Sequence, residues 1–172
     1  MAQSLVDHCT SPQTKREVSQ TASDALNSIN GRPVSGSDEL LVVAGGPYFQ
    51  HAADYLVKNA VAPIGSRATQ TTFELYDTKT GALVASEPIS SVSDSHGLFA
   101  VQFVREPSSS SLILNAYGFT IGGTAAATFY VAQVLAPNLA AASKAWYVGE
   151  WVDANADLKP DANELTILAS GK

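Results

Sequence analysis

Oxygen-bearing side chains recur at regular spacing in one short segment near the C-terminal end of the sequence. Within residues 153–164 they stand at positions 1, 3, 5, 9 and 12, and they are Asp153, Asn155, Asp157, Asp161 and Glu164. A hard cation such as calcium binds six or more oxygens, and twelve-residue loops of the EF-hand type supply them at these positions, with a backbone carbonyl at position 7. Lys159 occupies position 7 here. The spacing therefore predicts a calcium site in this loop.

Position 6 of the loop departs from the calcium-binding pattern. That position is normally glycine, because the chain turns sharply there, but this sequence has Leu158. A positive φ costs leucine on the order of 1 kcal/mol, so we expect weak calcium affinity. The flanking segments have the pattern of strands, which predicts a calcium-loop hairpin and not a helix–loop–helix. The alternative interpretation is an ordinary polar turn rich in Asp, Asn and Pro.

Two glycine pairs each stand between an apolar segment and a helical pattern. The apolar segments are residues 39–44 and 112–117, and the residues at the two turns are Gly45, Gly46, Gly122, Gly123 and Thr124. Helix N-termini present backbone N–H groups that attract anions, and open α/β sheets bind ligands beyond the carboxyl ends of their strands. The five turn residues are therefore a candidate ligand-binding site. Structural tight turns, with Thr124 capping the second helix, are the other interpretation.

No set of residues in the sequence has the spacing of a catalytic centre. His8, His51 and His96 are scattered without an HxH or HExxH pattern, and Ser95 lies in no nucleophile-elbow context. Cys9 is the only cysteine, so the chain can form neither an internal disulfide nor a thiolate cluster. We expect no catalytic residues, and the function is expected to be non-enzymatic.

Three aromatic residues lie close together in one predicted strand. Because side chains alternate along a strand, Trp146 is expected to face away from Tyr147 and Trp151. Such residues stack on sugars in carbohydrate-binding modules, but they also fill sheet-packed cores. A carbohydrate-binding module is therefore a further alternative function.

Composition and charge limit the partners. The formal net charge of −6 and the isoelectric point near 4.9 argue against nucleic acid, because phosphate-backbone binding needs clustered Lys and Arg. No window approaches the roughly 18 apolar residues of a membrane span. The first residues lack a basic region followed by an apolar run. The low charged fraction of 15% favours a hydroxyl-rich surface of extracellular type, with a cytoplasmic location as the alternative.

Hydrophobic periodicity and turn residues predict one main domain. Residues 1–36 are expected to form an N-terminal helix, over 12–29, and a linker, and residues 37–172 a single α/β domain. The uninterrupted apolar strand 39–44 suggests burial on both faces. Helices are predicted at 47–59 and 124–136, and strands at 39–44, 72–76, 82–85, 98–104, 112–117, 145–152 and 164–169.

The order of these elements indicates a mixed sheet. Two strand–Gly-Gly–helix units in one sheet, together with antiparallel hairpins and the N-terminal helix, define an α/β fold. A β-sandwich with appended helices is the alternative.

Several short motifs resemble known protein families. The strand-turn-helix at 42–47 (VVAGGP), the turn at 115–118 (NAYG) and the helix start at 123–127 (GTAAA) resemble α/β modules of prokaryotic S-layer and other cell-surface proteins. The loop at 153–164, with Pro160 before Asp161, is similar to the calcium loops of dockerin and thrombospondin-type repeats. The resemblance implies a building block of a surface layer or filament, stabilised by calcium, without catalytic activity.

The leading hypothesis is therefore a non-enzymatic extracellular or cell-surface structural module. It would associate with itself or with other surface proteins, and calcium would stabilise its C-terminal hairpin. The alternatives are a small-molecule-binding or enzymatic α/β domain that uses the Gly-Gly turns, and a carbohydrate-binding module.

Overall fold

The computed structural model describes residues 26–34 and 40–172, and this part of the chain folds into eight strands and two α-helices. The elements are β1 (Leu40–Ala44), α1 (His51–Lys58), β2 (Ile64–Ala68), β3 (Thr72–Asp77), β4 (Leu83–Pro88), β5 (His96–Arg105), β6 (Leu112–Gly118), α2 (Ile121–Phe129), β7 (Trp146–Val152) and β8 (Leu165–Gly171). A π-helical turn over Tyr130–Leu135 and a 3₁₀ segment over Ala136–Ala141 continue α2. The predicted mixed α and β character is confirmed.

The strands form two sheets. The larger has the order β1-β6-β5-β7-β8, and the smaller has the order β2-β3-β4. Within the larger sheet β1 and β6 run parallel, with Ala44 opposite Ala116, and the remaining pairs are antiparallel. The smaller sheet is antiparallel throughout. Gly81 has a φ of +72° in the β3–β4 turn, the left-handed conformation that glycine adopts readily.

The larger sheet is covered on both faces. On one face α2 and the turn after it pack on Phe99, Val101 and Leu114. On the opposite face α1 packs on Val43, Val104 and Ile113. Beside α1 on that face the smaller sheet contributes Ile64 and Leu75, which pack on residues of β5, β6 and β7. The core therefore consists of two layers, one on each side of the larger sheet.

Both strand–turn–helix units lie in one sheet, as the sequence predicted. Their boundaries differ from the prediction. The helix expected over 47–59 begins at His51, because residues 46–50 form a turn in which Gly46 O accepts from the N–H groups of Phe49 and Gln50. The second helix begins at Ile121, so Gly122 and Gly123 lie in its first turn instead of preceding it.

The N-cap of the second helix was also predicted wrongly. Thr120 is the cap, and its hydroxyl accepts from the N–H of Gly123 at 3.1 Å. The Thr124 hydroxyl instead accepts from the N–H of Gly118 at 3.1 Å, which ties the helix to the end of β6. Both threonines are therefore used within the turn.

Two further predictions concern β1 and the N-terminal segment. β1 is an edge strand and Leu40 at its start is exposed, but Val42 packs on the core layer under α2 and Val43 on the layer under α1, so the burial on both faces is confirmed for the middle of the strand. Of the helix expected over 12–29, residues 12–25 lie outside the described part of the chain. Residues 26–29 belong to a turn closed by a bridge between Leu26 and Pro33. Asn27 Oδ1 accepts the N–H of Ile29 in that turn.

The smaller sheet was only half predicted. Its β3–β4 hairpin follows from the alternating pattern, but β2 has the sequence IGSRA, which shows neither alternation nor an apolar run.

None of the helices in the described part of the chain is long and apolar enough to cross a membrane.

Candidate cation sites

The predicted calcium loop connects β7 to β8, which pair antiparallel as expected. Its first three candidate ligands turn their oxygens toward the loop backbone. Asp153 accepts from the N–H of Asp157 at 3.2 Å through Oδ1 and from the N–H of Leu158 at 3.0 Å through Oδ2. Asn155 Oδ1 accepts from the Asp157 N–H at 2.9 Å, and Asp157 Oδ1 accepts from the Lys159 N–H at 2.8 Å. The side chains at positions 1, 3 and 5 thus accept from N–H groups later in the loop, so the backbone curls around them.

The backbone of the loop is left-handed at two residues that are not glycine. Ala156 has a φ of +61°, and Leu158, at position 6, has a φ of +58°. A residue with a Cβ adopts this conformation only at a cost, so the surrounding hydrogen bonds must hold it. The Leu158 side chain is 61% exposed, so its own packing contributes little to that holding. The turn expected of a calcium loop at position 6 is present despite the missing glycine.

The last two candidate ligands close the loop through a capping box. Asp161 caps the 3₁₀ turn Ala162–Glu164 by accepting from the N–H of Asn163, and Glu164 Oε2 accepts from the N–H of Asp161. Glu164 is buried, and its Oε1 also accepts from the N–H groups of Ala154 and Asn155. Position 12 of a calcium loop normally gives both carboxylate oxygens to the ion, but both oxygens of Glu164 accept from backbone N–H groups here.

The carboxylates of this loop do not converge on one point. Among the described Asp, Glu, His and Cys side chains, three groups approach within 4.8 Å of one another only at Glu87, His96 and Glu150. No lysine or arginine forms an ion pair with the loop in the part of the chain described. The loop therefore has a left-handed position 6, while its acidic groups accept from backbone N–H groups and do not converge on one point.

The second cluster lies where the two sheets meet. His96 begins β5 and Glu150 lies on the adjacent β7, opposite Leu98, so the two side chains share one face of the larger sheet. Glu87 comes from β4 of the smaller sheet. His96 Nδ1 is 3.1 Å from Glu87 Oε1, and His96 Nε2 is 3.1 Å from Glu150 Oε1. One imidazole thus stands between two carboxylates from different sheets.

Burial and charge act in opposite directions on these groups. Burial raises the pKa of Glu87, although the nearby His96 favours its charged form. Burial alone would lower the pKa of His96, but the hydrogen bond to Glu150, the carbonyl of Ser91 and the two carboxylates raise it above its ordinary value. Since Nδ1 faces the Ser91 carbonyl and Nε2 faces Glu150, both ring nitrogens have acceptors. The arrangement therefore favours a cation at its centre.

The cluster at the junction of the two sheets could not be recognised from the sequence. Glu87, His96 and Glu150 are far apart in the chain and have no characteristic spacing. Only the pairing of β5 with β7 and the contact of the smaller sheet bring them together, and neither can be read from local pattern. Only a weak indication of this site is present in the sequence. Each of the three polar residues lies in a strand whose other side chains are mostly apolar.

The candidate ligand-binding glycines lie at the same end of the larger sheet, because β1 and β6 are adjacent and parallel. They are used for packing. The N–H of Gly45 donates to Ala116 O, and a Cβ on Gly46 would lie 3.3 Å from the Tyr117 ring. A Cβ on Gly122 would lie 2.3 Å from the Trp151 ring. Gly122 therefore has no room for a side chain, whereas at Gly46 the Tyr117 ring would have to move by a few tenths of an ångström.

Within the described residues, the aromatic strip contributes to the core. Trp151 is fully buried, and both it and Tyr147 belong to the core layer under α2, while Trp146 faces the other core layer, as predicted. His51 is exposed beside a groove of about 410 Å³ between α1 and the turn at residues 29–30. His8 and Cys9 lie outside the described residues.

The chain was also compared with protein-family models, curated proteins and solved structures, and none of them matches it.

Proposed function

We propose that this chain is a non-enzymatic structural module of an extracellular or cell-surface assembly, and that calcium bound in the 153–164 loop stabilises its C-terminal hairpin. One observation carries the calcium part. Leu158 holds a left-handed φ at position 6 while the Asp153 carboxylate accepts the N–H groups of positions 5 and 6. Ala60 and Ser110 also take a positive φ in turns without calcium spacing, so the support comes from the combination of a left-handed position 6 with oxygen-bearing side chains at positions 1, 3, 5, 9 and 12.

The amide hydrogen bonds leave room for a cation at the first three positions. A carboxylate offers about four lone-pair sites, and Asp153 and Asp157 use only some of them on backbone N–H groups. Calcium would take the remaining acceptor sites and neutralise a loop that has no paired lysine or arginine within the described residues. The charge balance therefore supports a divalent cation.

Glu164 limits the affinity. To bind calcium with either oxygen, it must give up hydrogen bonds to the N–H groups of Ala154, Asn155 or Asp161. Each buried donor left unpaired costs about 1–3 kcal/mol unless water replaces the carboxylate. Together with the strain at Leu158, this loss predicts a dissociation constant of roughly 10⁻⁴–10⁻³ M, the range typical of extracellular calcium modules.

The open edges of the larger sheet support assembly with a second copy of the chain. β1 and β8 are its outer strands, and neither has a further partner among the described residues. β8 and the end of β7 expose the apolar side chains of Ile167, Leu168 and Val152. Such an edge is a template for strand pairing between chains. The resemblance of the VVAGGP and GTAAA motifs to surface-layer modules points in the same direction.

Thermal and urea unfolding with and without calcium test the cation site. At calcium about tenfold above the dissociation constant, the free energy of unfolding should rise by about 1.4 kcal/mol. Asp153→Ala and Asp157→Ala should abolish this gain. Asp77→Ala is the matched control, because Asp77 also accepts two loop amides, from Lys79 and Thr80, but in a turn without calcium spacing. It should lower stability and leave the calcium gain intact.

If calcium stabilises neither the wild-type protein nor the control, the loop is an ordinary acidic turn. Sedimentation velocity over a wide range of protein concentration tests the assembly separately. We expect association that grows with concentration and weakens in Leu168→Lys, since a lysine on an edge strand opposes pairing. A monomer at every concentration, with and without calcium, would refute the assembly.

A further inference from the structure

The carboxylate of Glu87 is buried without the donors that such a group requires. The side chain is 5% exposed, and neither of its oxygens makes a well-formed hydrogen bond. Burial raises the pKa of Glu87, and the opposing effects of His96, the Ser91 hydroxyl and the Leu98 N–H do not offset it. A buried carboxylate with few donors is stabilised when a cation is paired with it.

Glu87 points at the one place in the described structure where other metal-binding atoms converge. Glu87, His96 and Glu150 each offer one ligand atom, and these three atoms all lie within 4.8 Å of one another. The three side chains come from three strands of two different sheets, so the framework on each side holds them. Side chains fixed by sheets define a geometry better than side chains on loops do.

From this convergence we infer that Glu87, His96 and Glu150 bind a divalent transition metal, with zinc the best fit. An imidazole nitrogen is a favoured ligand of zinc and of its neighbours in the first transition row, whereas calcium and magnesium are bound by oxygen. Two carboxylates balance the charge of the ion. Because Glu87 and Glu150 lie at opposite nitrogens of the ring, His96 must turn so that one nitrogen faces the ion between them, and the three protein ligands then leave a fourth tetrahedral position for water. His96 and Glu150 are partly exposed, which gives the ion a path from solvent.

The metal would join the two sheets. Glu87 belongs to the smaller sheet, and His96 and Glu150 belong to the larger one. Between them the core contact rests on Ile64 and Leu75 against β5, β6 and β7. A metal held from both sides would therefore tighten this junction at its edge. The site is separate from the calcium loop and does not depend on calcium binding there.

Calorimetric titration of zinc chloride into the full-length, chelator-stripped protein tests the inference. The titration uses a His8→Gln, Cys9→Ser background, because both of those residue types are zinc ligands. We expect one equivalent to bind and the melting temperature to rise. Glu87→Gln and His96→Gln should each weaken binding roughly tenfold or more.

Two variants serve as controls for the titration. His51→Gln removes an exposed histidine remote from the cluster and should leave zinc affinity unchanged. Asp157→Ala removes a ligand of the calcium loop and should also leave it unchanged, so that failure of either site can be recognised independently. Should Glu87→Gln fail to fold in chelator, Glu150→Gln replaces it, because Glu150 is half-exposed and its removal leaves the junction packed.

The inference is overturned if wild-type protein takes up no zinc at stoichiometric concentration. In that case the cluster is an imidazolium held between two carboxylates and nothing more. It is equally overturned if zinc binds with the same affinity in Glu87→Gln and His96→Gln, because the ion would then lie elsewhere on the chain.

Discussion

Two buried glutamates in this protein are treated in opposite ways by their surroundings. Glu106 is fully buried at the β5–β6 turn, and it accepts from the Tyr55 hydroxyl at 2.9 Å, from Ser108 N–H at 2.8 Å and from Ser109 N–H at 2.5 Å. Glu87, nearly as buried, has no well-formed hydrogen bond.

The difference follows from where each residue stands. A turn has free backbone N–H groups that can be directed at a carboxylate, and Glu106 collects two of them. Glu87 lies in β4, where successive N–H groups point to opposite sides of the strand and alternate ones pair with β3, so the strand does not direct adjacent N–H groups at the carboxylate. A carboxylate buried between sheets therefore depends on a side chain or an ion for its partner. This contrast indicates which buried acidic residues are structural and which are open to a ligand.

The largest expected loss of stability follows from replacing Glu106. Glu106→Ala leaves two amides and a tyrosine hydroxyl unpaired in the core, and we expect the free energy of unfolding to fall by about 3 kcal/mol. Urea denaturation at neutral pH measures it. Glu74→Ala is the control, since Glu74 pairs with the half-exposed Arg67 at the surface and its loss should lower stability much less. Equal losses would remove the distinction between a satisfied buried acid and a surface one.

Acidification should remove part of the same contribution. Burial alone would raise the pKa of Glu106, but the hydrogen bonds from Ser109, Tyr55 and Ser108 outweigh it and hold the pKa below its ordinary value of 4.5. A depressed folded-state pKa stabilises the protein above the unfolded-state pKa, and the stabilisation is lost as pH falls through the folded-state pKa.

The stability difference between wild type and Glu106→Gln should therefore shrink as pH is lowered below about 4.5. Denaturation curves of both proteins over a pH series give the difference directly. A difference that stays constant down to strongly acidic pH would mean that the Glu106 charge does not stabilise the fold.

A smaller effect is expected at Leu158. This residue lies in the 153–164 loop, which the buried Glu164 closes through hydrogen bonds to backbone N–H groups. Leu158→Gly relieves the positive φ but increases the freedom of the unfolded chain, so we expect a net gain of about 0.5 kcal/mol in chelator. Calcium should then bind more tightly than in the wild type. Leu168→Gly, an exposed leucine in an extended strand, is the matched control and should destabilise the protein. A loss of stability in both variants would contradict the strain inferred at position 6.

The smallest effect is expected at Glu87. In chelator, Glu87→Gln removes a buried charge beside His96 but no well-formed hydrogen bond, and Glu150 still pairs with His96, so stability should change by less than about 0.5 kcal/mol. The same substitution at Glu106 should be clearly destabilising. Parallel melting curves of the two variants make the comparison, and a similar cost at both positions would break it.

The sequence was most informative where local pattern determines structure. The apolar segments before Gly45-Gly46 and Gly122-Gly123 predicted two strands followed by helices, because the periods of strand and helix are encoded within a few residues. The loop at 153–164 was recognised from spacing alone, and its left-handed position 6 follows from that spacing. Whether calcium binds there remains a prediction, since spacing fixes the backbone and not the ligand.

What the sequence could not predict depends on contacts between distant segments. β2 has no pattern of its own and is a strand only because β3 pairs with it and the larger sheet covers Ile64. Likewise, nothing near His96 in the chain announces Glu87 and Glu150. Thr120 and Thr124 are equivalent as caps by type, and only the position of Gly118 at the end of β6 decides between them.

The parallel pairing of β1 with β6 also has a consequence for the order of folding. β5 and β6 are joined by the short segment 106–111, whereas joining β1 to β6 closes the whole segment 45–111. A loop about tenfold longer costs about 2 kcal/mol more in closure entropy. We therefore expect the hairpin to form first and β1 to dock late. During synthesis the apolar strand LLVVA is made early yet waits for its partner until two-thirds of the chain exists, so nascent chains are most exposed to aggregation through β1.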